Sequence, residues 1–243
     1  MTAHVFLVDS ERLRADPITL DGDEGRHAVV VKRIRVGERV VLTDGRGEAA
    51  ECRVTSVTRQ GLSAEVLVRR SQARAVPRLV VVQAIPKGEH AERAVDLLTE
   101  VGADVIVPWA ASRNVVTWKG DRVGKALHRW RATAVSAAKQ SRRFWLPDVR
   151  DLHSTAEVAG LVAGAGTAFV LHAAATQPLS GVRVPSDGDV VLVIGPEGGI
   201  TEEELATLTA AGAQLVRLGS EVLRSSSAGM AAAAVILSQT RWA

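Results

Sequence analysis

The segment Ile194-Gly195-Pro196-Glu197-Gly198-Gly199-Ile200-Thr201 has the composition of a ligand-binding loop. It follows a continuous apolar run, Val190 to Ile194, and its three glycines permit close backbone approach and positive φ. Thr201 with Glu204 three residues on is a capping-box pattern that opens a helix. Such a strand–loop–helix junction sits where open α/β sheets take small molecules. It is neither a phosphate-binding P-loop, since no Gly-Lys-Ser/Thr follows, nor a dinucleotide site, since the G-x-G-x-x-G order is missing. A glycine-rich turn can also serve chain reversal alone. A second loop, Leu218-Gly219-Ser220-Glu221-Val222-Leu223-Arg224-Ser225-Ser226-Ser227-Ala228, again leads from an apolar strand into a helix, with serines able to cap its first N–H groups. Two loops at equivalent strand ends can line one pocket.

The elements that must position these loops follow from hydrophobic pattern. Residues 1–75 read as short alternating strands, with Asp44-Gly45-Arg46-Gly47 as a hairpin-type turn, and predict a small antiparallel β barrel. A boundary is expected near Ala73 to Arg78. Residues 76–243 then alternate buried strands with helices: strands at 79–85, 104–108, 168–171, 190–194 and 214–218, and helices at 89–101, 122–140, 202–211 and 226–239. Gly102 is expected to end the first of these helices. The pattern predicts a parallel sheet covered by helices, hence an α/β fold.

The 243 residues are 47% apolar and 23% charged, ordinary globular usage that argues against a disordered or fibrous chain. A single cysteine, Cys52, allows neither an internal disulfide nor a cysteine-cluster metal site, and a cytoplasmic setting is expected. The first eleven residues lack a signal-peptide pattern, and the most apolar stretch, Ala228 to Leu237, is short of a membrane span; no membrane partner is expected. The six histidines show no ligand spacing, so no metal is expected. Ser136-Ala137-Ala138-Lys139 matches the S-x-x-K pattern, but its companion motifs are absent and it reads as helix.

The formal charge of +3 is small, but its distribution is uneven. Residues 1–78 hold 14 basic against 11 acidic residues, and Arg113 to Arg150 hold ten basic against two. Asp187 to Glu221, which contains the first loop, holds seven acids and one base. Local basic excess of this kind neutralises phosphates. Two basic surfaces are therefore expected to hold RNA: Arg26, Lys32, Arg33 and Arg35 in the barrel, and Arg113, Arg129, Lys139, Arg142 and Arg143 in the following segment. The alternative is a solvated surface. Arg33 and Arg35 are expected on one face of a strand, and Trp145, beside Arg142-Arg143, is the best base-stacking candidate among five tryptophans.

The sequence resembles the ribosomal RNA small subunit methyltransferase E family, of the SPOUT class of knotted methyltransferases. The resemblance runs over essentially the whole chain. It is carried by Ile194-Gly195-Pro196-Glu197-Gly198-Gly199, by Leu218-Gly219 with Val222-Leu223-Arg224, and by Thr99-Glu100-Val101-Gly102-Ala103 followed by Pro108. Ser112-Arg113, Lys139-Gln140-Ser141-Arg142-Arg143 followed by Pro147, and His27 with Val31, Arg33 and Gly37 add to it. Two departures stand out. Arg224-Ser225-Ser226-Ser227-Ala228 replaces the usual Arg-Thr-Glu-Thr-Ala, and the usual arginine before the first phenylalanine is missing around His4-Val5-Phe6.

The resemblance implies a PUA-like barrel over 1–75 and a C-terminal trefoil-knot domain over 76–243 that forms a homodimer. The implied activity is S-adenosylmethionine-dependent methylation of N3 of one uridine in 16S ribosomal RNA of the small subunit. Leu171, His172, Ile194, Gly195, Pro196, Glu197, Gly198, Gly199, Leu218, Gly219, Val222, Leu223 and Arg224 are the implied cofactor-binding residues. A sulfonium calls for a nearby carboxylate, for which Glu197 is the candidate. Uridine N3 must lose its proton, and a cation such as Arg224 would stabilise the anion developing on the uracil oxygens. Glu197 or water is the candidate base, and the sequence does not choose between them.

Overall fold

A computed structural model describes residues 3–243, so the first two residues of the N-terminal stretch lie outside the described residues. The chain divides into two compact units, one running to Arg74 and taking in Ala138–Leu146, the other formed by Ala75–Ala137 and Pro147–Ala243.

The first unit holds β1 (His4–Leu7), α1 (Ser10–Leu13), β2 (Ile18–Leu20), α2 (Gly22–Arg26), a π-helical turn (His27–Val31), β3 (Arg39–Thr43), β4 (Glu48–Val57) and β5 (Leu62–Ser71). Its sheet runs β1-β3-β4-β5-β2, antiparallel except where β1 lies beside β3. Alternation along the strands sends Val40, Leu42, Ala50, Cys52, Leu62 and Ala64 into one core with Phe6 and Ile18. The Asp44 carboxylate closes the expected turn by accepting the N–H groups of Arg46 at 2.7 Å and Glu48 at 3.2 Å.

Two expectations change here. The N-terminal region is not strands alone, because α1, α2 and the π turn interrupt it. Arg33 and Arg35 are not on a strand: Arg33 is left-handed at φ 56°, and the Ile34 N–H bonds back to the Ala28 carbonyl at 3.1 Å. Buried Ile34 anchors this loop between the two exposed arginines.

The second unit holds β6 (Arg78–Ala84), α3 (His90–Val101), β7 (Val105–Trp109), most of α4 (Asp121–Gln140), β8 (Asp148–Val149), α5 (Thr155–Ala163), β9 (Thr167–Leu171), β10 (Asp189–Ile194), α6 (Glu202–Ala210), β11 (Gln214–Val216) and α7 (Ser225–Ser238). All six strands are parallel, in the order β11-β9-β10-β6-β7-β8. The strands read as continuous apolar runs because both faces are covered. One face packs with α3 and α7 through Leu79, Val81, Leu98, Leu192, Ala233 and Ile236; the other packs with α5 and α6 through Val80, Val82, Val158, Val193 and Leu208. Gly102, at φ 113°, ends α3 in the left-handed cap that glycine adopts without strain.

Arg241, just beyond α7, fastens the end of this unit to its beginning. Its guanidinium donates to the Pro77 carbonyl at 3.0 and 2.6 Å and to the Gly102 carbonyl at 3.1 Å, and it pairs with Asp104. Asp104 also accepts the Leu79 N–H at 2.8 Å, so one carboxylate serves both the start of β6 and the chain's end. Both side chains are about 15% exposed or less. Removing one partner of such a pair strands the other, so Arg241→Ala is expected to cost about 3 kcal/mol in urea unfolding. A loss below about 0.5 kcal/mol would class the clasp with surface ion pairs.

Candidate functional site

Strands β9, β10 and β11 are adjacent and parallel, with Val190 opposite Thr167, Val193 opposite Val170, and Val216 opposite Leu171. Their carboxyl ends therefore lie at one edge of the sheet. The three segments that follow, beginning at His172, Gly195 and Arg217, surround a cavity of about 470 Å³. That is within the range of pockets for small organic ligands.

Every residue expected to bind cofactor lines this cavity except Gly198. A Cβ on Gly198 would lie 2.8 Å from the Arg113 carbonyl oxygen, so the glycine at that position answers close packing of two loops. Sequence reasoning missed Ala173 and Arg217, which also line the cavity, together with Ile200 of the first loop and Ser220, Glu221, Ser225 and Ala228 of the second. The lining mixes aliphatic side chains with two carboxylates, Glu197 and Glu221, and two guanidinium groups, Arg217 and Arg224. Glu197 is exposed, and one carboxylate oxygen lies 3.4 Å from the Lys87 N–H. Arg224 is exposed at the N-cap of α7, and its guanidinium has no ion pair among the described residues. Among the described residues no group of three or more His, Cys, Asp or Glu side chains is arranged to hold a metal.

The expected capping box is present and does more than cap. Glu204 is buried, and one oxygen accepts from the Thr201 N–H and hydroxyl, both at 3.1 Å. Its other oxygen accepts from the Ser112 N–H at 2.8 Å, the Ser112 hydroxyl at 3.0 Å and the Thr155 hydroxyl at 3.2 Å. Burial alone would raise this carboxyl's pKa, but donors from Ser112 and Thr201 outweigh it and hold the pKa below the ordinary value. One buried charge thus fastens the loop after β7 to the loop after β10. The box was visible as Thr201 and Glu204, whereas the Ser112 bonds span 92 residues and left no local signal.

The basic candidates divide by unit. Lys139, Arg142 and Arg143 belong with the barrel residues Arg26, Lys32, Arg33 and Arg35, while Arg113 and Arg129 belong to the second unit. Several candidates are engaged within the protein, Arg113 among them through the Gly198 carbonyl at 3.5 Å. Lys139 lies 2.6 Å from Glu24, whose other oxygen accepts the Leu7 N–H at 3.1 Å; Arg26 pairs with Asp23; and Arg129 lies 3.3 Å from Glu92. Lys32, Arg33, Arg35 and Arg142 are exposed. Trp145 is half-buried, donates to the Gln72 carbonyl at 2.8 Å, and has the Arg74 guanidinium 4.2 Å from its ring centroid. One face of the stacking candidate is thus taken by its own unit.

A six-stranded parallel sheet with a loop-lined cavity at one edge, joined to a small β unit, is the architecture of SPOUT-class RNA methyltransferases. Residues 74–237 match the RNA methyltransferase domain model, and residues 20–67 match the RNA methyltransferase PUA domain model. The chain belongs to the ribosomal RNA small subunit methyltransferase E family. It is 46% identical to the protein of that name from Mycobacterium tuberculosis, over 100% of this chain and 94% of that one. It is 29% identical to the Bacillus subtilis counterpart, over 93% and 91% of the two chains. Among solved structures it superposes on the Neisseria gonorrhoeae enzyme of the same name, bound to S-adenosyl methionine, with a TM-score of 0.86 at 28% identity over 98% of each chain. A Legionella pneumophila putative methyltransferase in complex with the same cofactor gives 0.85 at 25% identity over 99% of each.

Because Glu204 has a lower pKa folded than unfolded, its contribution is complete above about pH 4.3 and fades as pH falls through the folded value. Glu204→Gln sets an amide NH₂ against donors and is expected to cost about 2 kcal/mol at pH 7 by urea unfolding. The gap between variant and parent should narrow below about pH 4. A gap constant from pH 7 to about pH 3 would trace the loss to packing instead.

Proposed function

We propose that this protein, acting in the cytoplasm as a homodimer, transfers a methyl group from S-adenosylmethionine to N3 of a uridine in 16S ribosomal RNA of the small subunit. The observation that supports it most is the convergence of three strand-end loops on one 470 Å³ cavity, in a chain whose relatives are methyltransferases of this name. The lining fits such a cofactor. Leu171, Ile194, Pro196 and Leu218 offer an apolar slot for an adenine ring, and backbone groups of the two glycine loops supply donors and acceptors.

When bound, S-adenosylmethionine supplies an electrophilic methyl on a sulfonium. The carboxylates of Glu197 and Glu221 complement that charge from the cavity wall. Arg224, at the cavity rim with its guanidinium free of ion pairs among the described residues, stabilises negative charge spreading onto the uracil oxygens as the N3 proton departs. The N3–H proton goes to Glu197 or to water, and the new N–CH₃ bond forms as the S–CH₃ bond breaks. Exposed Val222 and Leu223, with the partly exposed Met230, Ala231 and Val235 of α7, supply apolar surface for a second copy.

Methylation assays with small-subunit RNA, read by mass spectrometry of nuclease fragments, are expected to place one methyl group on a uridine base. A methyl on ribose or on another base would overturn the assignment. RNA binding is proposed to use Lys32, Arg33, Arg35 and Arg142, with Arg113 from the second unit. Arg33 and Arg142 are both left-handed, so asparagine, which after glycine tolerates that backbone best, is the substitution used there. Each phosphate contact removed should flatten the log–log salt dependence of RNA affinity by about 0.7. Arg33→Asn with Arg142→Asn should therefore lower the slope by about 1.4 and leave cofactor affinity intact. An unchanged slope would make both arginines ordinary solvated surface.

A further inference from the structure

Gln83 lies in β6, which is otherwise almost wholly apolar, and is fully buried. A buried amide is costly unless its groups are bonded. Its nitrogen donates to the Ala84 carbonyl at 2.9 Å and to Ser225 Oγ at 3.0 Å. The Ser225 hydroxyl in turn donates to the Gly195 carbonyl at 2.9 Å. The direction of this chain is determined, because the Ala84 and Gly195 carbonyls can only accept. The amide nitrogen must therefore face Ala84, and the hydroxyl proton must face Gly195. Gln83 Oε1 is left buried without a partner, a loss of stability that an apolar residue in β6 would avoid.

This chain joins three separate pieces. Gly195 begins the loop after β10, Ser225 begins α7 directly after the loop that follows β11, and Gln83 is part of the sheet. Gly195 and Ser225 line the cavity, whereas Gln83 does not. We propose that Gln83 and Ser225 are positioning residues that set the spacing of the two cofactor loops, Gln83 acting through the Ser225 hydroxyl. The proposal rests on reading the cavity as the S-adenosylmethionine site. Loops held at their bound spacing avoid an ordering cost on binding, so loss of the chain raises the cofactor Kd and KM more than it lowers kcat at saturation.

The test is calorimetric titration of the full chain with S-adenosylmethionine, beside steady-state kinetics and thermal unfolding. Gln83→Met and Ser225→Ala are each expected to raise Kd and KM about tenfold, with kcat at saturation held within about threefold. The double variant should be no worse than the weaker single one, because both remove the same link. Ser225→Thr, which keeps the hydroxyl, should stay within about threefold of the parent. Variants that melt earlier yet bind at parental affinity would overturn the proposal and leave the pair a purely structural role. If Gln83→Met does not fold, the contrast between Ser225→Ala and Ser225→Thr decides alone. A parent protein that binds no S-adenosylmethionine would overturn the cofactor reading and this proposal together, a result distinct from parental affinity in the variants.

Discussion

Strands that are adjacent and parallel must end at the same edge of their sheet, and the candidate site depends on that constraint. Registers between β10 and β9 and between β9 and β11 bring Leu171, Ile194 and Val216 to one line. The segments that follow have no choice but to meet. Close packing at the meeting point then calls for glycine at position 195, where a Cβ would lie 2.6 Å from the Ile200 side chain. A glycine is also needed away from the cavity: Gly198 is pressed against the Arg113 carbonyl.

Apolar packing holds the sheet but does not aim its loops. Val, Leu and Ile on both faces of β6, β9 and β10 are compatible with many loop paths, because hydrophobic burial is non-directional. Direction comes from a few buried polar groups. Glu204 binds the loop after β7 to that after β10, Ser225 binds the loop after β10 to the start of α7, and the Asp104–Arg241 pair ties the chain's end to the start of β6. Each has several partners, which is the condition for a buried polar group to hold geometry without a large net cost.

The strands and helices of the second unit were legible because their signals are local. Continuous apolar stretches such as Leu79 to Val82 and Val190 to Ile194 mark doubly covered strands, and Gly102 marks a helix end. The two loops that line the cavity were legible for the same reason, as glycine-containing junctions between such elements. What escaped was set by distant partners or by elements too short to show a period. α1 and α2 have four and five residues, less than two helical turns. Lys139 looked like one of a run of cations, yet its partner Glu24 lies 115 residues away. Gln83 drew no notice within the strand at 79–85, because its partner Ser225 lies 142 residues on. Arg33 and Arg35 alternated as strand residues do, but the left-handed backbone at Arg33 places them in a loop.

The central claim is that the three strand-end loops form the S-adenosylmethionine site. A crystal structure of the full chain grown with saturating S-adenosylmethionine tests it most directly. The account predicts ligand density within the cavity, against Leu171, Gly195 and Leu218, with the methyl-bearing sulfur on the side of Glu197 and Arg224. Density for the cofactor elsewhere on the protein, with this cavity holding only solvent, would contradict it.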